Sequence, residues 1–196
     1  FAGQMDTFLN ITSEKAFLEA VRGCWMSLFG DKMVLYSIAN GINPWSASVA
    51  VVVQQMVSAQ VSGVLFTVNP MTGNRKEMLI TSTWGLGEGL AIGLWEVDNF
   101  TVEGHGNIIQ REIAVKKLRV DTGQNGATSY VEVDADKQAV ASLNDEQILS
   151  LHTLASKVHA FKKIPMEIEF AFEGDALYLL QARPITGLKG EGARQD

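Results

Sequence analysis

The stretch from Met166 to Arg183 constrains the fold of this chain more than any other part of it. In its first half, two carboxylates, Glu167 and Glu169, alternate with apolar side chains. Because side chains alternate between the two faces of a strand, this spacing predicts a strand with one polar and one apolar face. The dipeptide Gly174-Asp175 then marks a turn, and Leu177–Arg183 is a second strand of the same hairpin. We expect the apolar side chains of the first strand to face the core: Met166, Ile168, Phe170 and Phe172.

The polar face of this hairpin is the first candidate for chemistry. Gln181 and Arg183 share a face of the second strand, so the sheet can present two carboxylates, an amide and a guanidinium together. Carboxylate and amide oxygens suit Mg²⁺, and a planar guanidinium suits a phosphate. The alternative is a half-exposed hairpin whose charges lie in water.

The rest of the chain predicts helices first and strands afterwards. A helix is expected over 14–29, capped by Ser13, with an apolar face at spacings of three and four, and a second helix over 31–40. The apolar face of the first helix comprises Phe17, Leu18, Val21, Cys24, Trp25 and Leu28.

Strands are expected over 49–57, 63–68, 77–84, 99–103, 108–115 and 129–133. Asn144 then caps a helix to about Phe161, and the side chains expected to face inward are Leu149, Leu151, Leu154, Val158 and Phe161. This order of elements predicts an α+β fold rather than a parallel doubly wound sheet.

Composition excludes several classes of function. The formal net charge is −6, and the nearest approach to a basic patch is Lys116, Lys117 and Arg119, so nucleic-acid binding is not expected. The sequence has no run of ~18 apolar residues, so a membrane-spanning helix is not expected. The single cysteine, Cys24, allows no internal disulfide and favours a reducing compartment, so a cytoplasmic protein is expected.

Two further motifs are suggestive. The segment Val51–Val57 can present an amide and a thioether to a flat aromatic ring, although the residues alone favour a core strand with a polar end. Gly85-Leu86-Gly87-Glu88-Gly89 is not a dinucleotide fingerprint, because its last glycine comes one position early and no βαβ unit surrounds it. Its glycines favour an unusual backbone turn close to a ligand or another lobe.

Five segments together resemble one family, the pyruvate and phosphoenolpyruvate dikinases, in the order that the family has them. They are residues 1–10, 52–57, 63–73, 84–88, and the hairpin segments 167–170 and 180–186. The resemblance covers residues 1 to about 188. It implies a partial ATP-grasp domain over 1–188, in which ATP is held between two lobes, and a linker or tail over 189–196.

The resemblance also implies roles for individual residues. Gln55, Met56 and Val57 would contact adenine, and Gly3 and Thr7 would approach the phosphates. Glu169 and Gln181 would hold Mg²⁺, Arg183 would face the γ-phosphoryl group as the catalytic cation, and Glu167 would lie near the ribose or the metal.

In such an enzyme, ATP phosphorylates a histidine on a swivelling domain, and the phosphoryl group passes to pyruvate to give phosphoenolpyruvate, AMP and phosphate. Two alternatives stay open: the nucleotide domain of a rifampin-type antibiotic phosphotransferase, and a fragment that only binds nucleotide. The family's phosphate-clamping lysine and its histidine domain have no counterpart in this sequence, so we expect little kinase activity from this chain alone.

A shared metal places a condition on the register of the hairpin. Glu169 and Gln181 must lie directly opposite each other, because a slip of one residue moves a side chain to the other face. A three-residue loop, Gly174-Asp175-Ala176, achieves this, and a two-residue loop achieves it only if a β-bulge restores the phase. We therefore predict the three-residue loop or an equivalent bulge.

Overall fold

A computed structural model describes residues 5–91, 96–123 and 127–185 of the chain. They form an α+β fold with few helices and a mostly antiparallel sheet, as the order of predicted elements indicated. The chain divides into two compact units: residues 1–56 with 122–129, and residues 57–121 with 130–196. No helix among the described residues is long and apolar enough to cross a membrane.

The first unit contains the two predicted helices, α1 (Glu14–Ser27) and α2 (Asp31–Ala39), and a 3-10 turn at Pro44–Ser46. Ser13 caps α1 as expected, since its side chain accepts a hydrogen bond from the backbone N–H of Ala16 at 3.2 Å. The apolar face of α1 is only partly covered within the described residues, and Leu18 and Trp25 are more than half exposed.

The strand predicted over 49–57 is wrong. Residues 47–59 form no helix or strand, and Val52 and Val53 are 82% and 68% exposed. High β-propensity stabilises a strand only when a neighbouring strand completes its backbone hydrogen bonds. Within the described part of the chain, no strand pairs with this segment.

The second unit is built on a six-stranded sheet with the order β4-β3-β2-β1-β7-β8, in which every neighbouring pair is antiparallel. The strands are β1 (Val61–Phe66), β2 (Glu77–Trp84), β3 (Asp98–Glu103), β4 (Ile108–Glu112), β7 (Met166–Glu173) and β8 (Ala176–Pro184). A short helix, α3 (Glu88–Ala91), follows β2, and a longer one, α4 (Asp145–Lys162), precedes β7. A separate two-stranded sheet pairs β5 (Leu118–Thr122) with β6 (Thr128–Glu132).

One face of the six-stranded sheet packs against α4 and forms the core. As predicted, the apolar face of β7 lies in this core, and its four members are at most 1% exposed: Met166, Ile168, Phe170 and Phe172. At Gly63 of β1, a Cβ atom would lie 2.2 Å from the backbone oxygen of Thr81 and 2.4 Å from the Phe170 ring, so the close packing requires glycine.

The inward face of α4 was predicted correctly at Leu151 and Val158, which lie in or against the core, and wrongly at Leu149 and Phe161. Ile148, Leu151 and Ala155 are fully buried, whereas Leu149 is 53% exposed and Phe161 is 80% exposed. Successive helical residues are rotated by about 100°, so a face that contains Ile148 excludes Leu149. The capping box at Asn144 sets the start of this helix as expected.

A buried ion pair ties the sheet to the loop before α4. The Lys116 ammonium donates to the Asp98 carboxylate at 2.5 Å, and both side chains are fully buried. The backbone N–H and the hydroxyl of Ser142 donate to the second carboxylate oxygen, each at 2.7 Å. Lys116 is thus part of the interior and contributes nothing to a basic surface.

Candidate functional site

The register of the β7–β8 hairpin is set by a bulge. The turn is the two-residue Gly174-Asp175, with Glu173 opposite Ala176, so the three-residue loop is not formed. The ladder shifts after Phe170 pairs with Leu179, and the next pair is Glu169 with Gln181. Leu180 is therefore the extra residue, and the predicted alternative, a bulge that restores the phase, is confirmed.

The bulge brings Glu167, Glu169, Gln181 and Arg183 to one face. Glu169 lies opposite Gln181, and Glu167 lies opposite Arg183. Directly opposed residues of antiparallel strands share a face. Without the bulge, Glu169 would oppose Leu180, and Gln181 would be opposite the core residue Ile168.

Glu167 and Arg183 form an ion pair across the two strands. Nη2 of Arg183 donates to Oε1 of Glu167 at 2.6 Å, and the side chains are 15% (Glu167) and 41% (Arg183) exposed. The hydrogen bond from Arg183 to Glu167 is the main cause that raises the pKa of the guanidinium, which stays cationic. The Nε atom of Arg183 is buried and has no hydrogen-bond partner within the described residues.

Glu169 is the half-buried carboxylate of the site. Burial raises its pKa above the ordinary carboxyl value, the nearby Arg183 charge opposes that rise, and the Glu167 charge adds to it. Its neighbour on β1 in the ladder is Val64, and Phe66 is the corresponding neighbour of Glu167. Apolar residues thus adjoin the carboxylates on the sheet face, and a bound cation would offset the cost of keeping them ionised there.

The oxygen atoms that Glu169 and Gln181 offer fit a magnesium ion whose remaining ligands come from a bound phosphate and water. Among the described residues, no three His, Cys, Asp or Glu side chains come together as a metal cluster. Glu169 and Gln181 instead offer one carboxylate and one amide oxygen from opposed positions. Mg²⁺ commonly takes one or two protein oxygens and completes its shell with phosphates and water.

The other predicted contact residues are not part of the β7–β8 hairpin. Gln55 and Met56 belong to the first unit, and the next residue, Val57, belongs to the second. All three lie in the segment 47–59, which forms no helix or strand. Gln55 is exposed, and Met56 and Val57 are partly buried. Thr7 is exposed in the first unit, and Gly3 lies outside the described residues.

The glycine motif after β2 forms the unusual turn that its composition indicated. Gly85 has a φ of +77°, and a Cβ atom there would lie 2.3 Å from the backbone oxygen of Val120. The Ser62 hydroxyl donates to the Gly85 carbonyl at 2.7 Å, and the Leu86 N–H donates to the Val120 carbonyl at 2.7 Å. The glycine lets the chain pass close to β5.

Two functional features escaped sequence reasoning. The first is Leu180, because an apolar residue in an alternating strand gives no local sign that it is unpaired. The second is the ion pair, because the sequence placed Glu167 and Arg183 on one polar face but did not indicate their direct contact. The sequence indicated the bulge in one way: Gly174-Asp175 favours a two-residue turn, and that turn aligns Glu169 with Gln181 only if one residue is left unpaired.

Comparison with known proteins gives one matching family. The family described as pyruvate phosphate dikinase, AMP/ATP-binding domain, matches residues 1–196. A rifampicin phosphotransferase of Bacillus subtilis is 43% identical over 188 residues, which are 96% of this chain and 22% of that protein.

Phosphoenolpyruvate synthases are also similar. The enzyme of Pyrococcus furiosus is 34% identical over 205 residues, covering 100% of this chain and 25% of that protein. A probable phosphoenolpyruvate synthase of Methanocaldococcus jannaschii is 37% identical over 190 residues, covering 96% of this chain and 16% of that protein. The chain therefore spans a quarter or less of the length of these relatives.

Proposed function

Because the chain belongs to the family of the pyruvate phosphate dikinase AMP/ATP-binding domain, we propose that it is the ATP-binding part of a longer dikinase. In that enzyme, ATP phosphorylates a histidine on a swivelling domain, and the phosphoryl group then passes to pyruvate. The products are phosphoenolpyruvate, AMP and phosphate. Named phosphoenolpyruvate synthases among the relatives support this function.

The observation that carries the proposal is the shared face of Glu169, Gln181 and Arg183. Three residues from two strands meet there only because Leu180 is left out of the ladder. An ordinary register would put Gln181 opposite the core residue Ile168, so the bulge both keeps the amide out of the core and places it beside Glu169. Bulges commonly re-aim side chains beside active sites.

Each residue has a task in phosphoryl transfer, which depends mostly on positioning and on neutralising phosphate charge. Glu169 and Gln181 hold Mg²⁺, which when bound neutralises the phosphate oxygens that it contacts. Arg183 is the catalytic cation and binds the γ-phosphoryl group. The hydrogen bond to Glu167 raises the pKa of its guanidinium, which favours the charged form.

The remaining assignments rest on the family. The domain is an ATP-grasp domain that covers residues 1–188, and residues 189–196 are a linker or tail. Gln55, Met56 and Val57 contact the adenine, and Gly3 and Thr7 approach the phosphates. These contacts are proposed from the positions of the family motifs alone.

A second acceptor has support of its own. Rifampicin phosphotransferases of Bacillus subtilis and Bacillus cereus are 43% and 38% identical to this chain, against 37% for the probable phosphoenolpyruvate synthase of Methanocaldococcus jannaschii and 34% for the Pyrococcus furiosus enzyme. The same nucleotide domain would serve an antibiotic phosphotransferase, in which the phosphoryl group passes to rifampicin. The acceptor is chosen by parts of the protein beyond these residues.

The test uses the full-length protein with Mg·ATP and either pyruvate or rifampicin. We expect AMP and phosphate to form with one acceptor, and mass spectrometry to detect either phosphoenolpyruvate or phosphorylated rifampicin. Glu169→Gln should abolish the reaction, whereas Glu173→Gln, an exposed glutamate in the same strand, should retain it. Failure of the wild-type protein to consume ATP with either acceptor would refute both functions.

A further inference from the structure

The Glu167–Arg183 pair is asymmetric in how firmly its two members are held. Glu167 lies on β7, which is paired on both sides, by β1 and by β8. Arg183 lies on β8, the last strand of the sheet order, two residues before the end of the chain that the structure describes. Glu167 is 15% exposed and Arg183 is 41% exposed, so the carboxylate is the fixed member.

An arginine at such an edge needs an anchor to hold its guanidinium in one place. The side chain loses roughly 1.5–2 kcal/mol of rotamer freedom when it is fixed, and β8 has a neighbouring strand on one side only within the described residues. Within the described residues, the guanidinium donates one hydrogen bond, from Nη2 to the Glu167 carboxylate at 2.6 Å. A contact through one nitrogen leaves other N–H groups of the fork available to a phosphate.

From this geometry we propose that Glu167 is a positioning residue for Arg183, and that it contacts neither the metal nor the ribose. Its carboxylate is directed along the ladder toward β8, where its opposite position is Arg183. Glu169 is two positions away on the same strand and opposes Gln181 instead. The face thus divides into a metal-binding row, Glu169 with Gln181, and a phosphate-binding row, Glu167 with Arg183.

The charges of the two rows favour the same division. A divalent cation on Glu167 would lie beside the Arg183 guanidinium, and the two positive charges would repel each other. With Glu167 neutralised by Arg183, Glu169 is the carboxylate of the hairpin face that stays free for the metal. This inference rests on the proposed function, since it assigns Arg183 to the γ-phosphoryl group.

The test is a double-mutant cycle in the full-length protein. The variants are Glu167→Gln, Arg183→Gln and the double variant, with steady-state ATP consumption and Mg²⁺ titration as measurements. If Glu167 acts through Arg183, Glu167→Gln should lower kcat by about tenfold or more with little change in the KM for Mg·ATP. The double variant should then be no slower than Arg183→Gln, because the second substitution has nothing left to affect.

Two outcomes would overturn the inference. If the losses of the single variants multiply in the double variant, Glu167 acts independently of Arg183. If Glu167→Gln raises the Mg²⁺ concentration for half-maximal rate by several fold in the Arg183→Gln background, it is a metal ligand. Circular dichroism checks folding, and if Glu167→Gln does not fold, Glu167→Met takes its place in the same cycle.

Failure of the proposed function is distinguishable from failure of this inference. A wild-type protein that neither binds nor consumes Mg·ATP would refute the proposed function and the inference together. A wild-type protein that consumes Mg·ATP, with independent losses in the cycle, would refute only the positioning role of Glu167.

Discussion

At the scale of single residues, the site contains a carboxylate whose charge is costly to keep. Glu169 is half-buried beside a second carboxylate, and burial is the main cause that raises its pKa. In the wild-type protein without ligand, ionised Glu169 therefore opposes folding at neutral pH. A bound cation would remove that cost, which is a common arrangement at sites that bind ligands.

We expect Glu169→Gln to raise the melting temperature of the ligand-free protein at pH 7. A raised carboxyl pKa means that the folded chain binds more protons than the unfolded chain between the ordinary and the raised values. Wild-type stability therefore falls as pH rises through that window and is constant above it. The advantage of Glu169→Gln should grow across the same window and vanish below about pH 4.

Thermal unfolding at a series of pH values measures this effect. Glu173→Gln is the matched control, because Glu173 is exposed at the turn of the same strand, and it should leave the melting temperature unchanged. A lower melting temperature for Glu169→Gln at pH 7 would show that the carboxylate stabilises the ligand-free fold.

The faces of β7 were predictable from the sequence, because successive side chains of a strand alternate between the two faces of the sheet. The inward face of α4 was harder, since apolar residues at 148, 149 and 151 allow two phases of a helix. Packing against the sheet selected Ile148 and exposed Leu149. The sequence alone does not determine which of these two faces of α4 is buried.

At the scale of elements, the bulge in β8 converts a two-residue turn into the register that the site needs. Deleting Leu180 should remove the bulge and leave Glu169 opposite Gln181 in a regular ladder. We therefore expect the Leu180 deletion to fold and to retain Mg·ATP binding within about tenfold, or roughly 1.4 kcal/mol. Isothermal titration calorimetry on the full-length protein measures this.

Deletion of Ala182 is the contrasting variant in the same strand. It would leave Gln181 in place and move Arg183 opposite Ile168, toward the core face. We expect that variant to lose Mg·ATP binding and much of its stability, because a guanidinium would enter an apolar core. Equal behaviour of the two deletions would contradict the role given to the bulge.

The buried pair of Asp98 and Lys116 supports a second prediction at this scale. Lys116→Met would leave a fully buried carboxylate without its cation, and we expect a loss of about 3–5 kcal/mol of folding free energy. The exposed pair of Arg111 and Asp145 is the comparison, since Arg111→Ala should change stability far less than Lys116→Met. Urea denaturation measures both, and similar losses would show that burial does not distinguish the pairs.

Elements were predictable from sequence where the chain supplies their partners. The strand over 77–84 has the predicted bounds because β1 and β3 flank it in the sheet. The segment 49–57 has an equally strong β pattern but no paired neighbour within the described residues. A strand is a property of a sheet, and local sequence gives only its propensity.

At the scale of the whole molecule, this chain spans a quarter or less of the length of its relatives, and the proposed function assigns catalysis to a longer protein. We expect the 196-residue chain by itself to transfer phosphate at a rate several orders of magnitude below that of the full-length protein. A missing transition-state cation commonly costs several kcal/mol. Autophosphorylation of the isolated chain at the full-length rate would contradict this expectation.

The central claim is that Glu169 and Gln181 share a metal with the nucleotide, and crystals of the full-length protein with Mn²⁺ and a non-hydrolysable ATP analogue test it most directly. Anomalous scattering locates the manganese ion without reference to the surrounding density. The account predicts an anomalous peak in contact with the Glu169 carboxylate, the Gln181 amide oxygen and the analogue's phosphates, with Arg183 on the terminal phosphate. A nucleotide-bound manganese ion that contacts neither Glu169 nor Gln181 would contradict it.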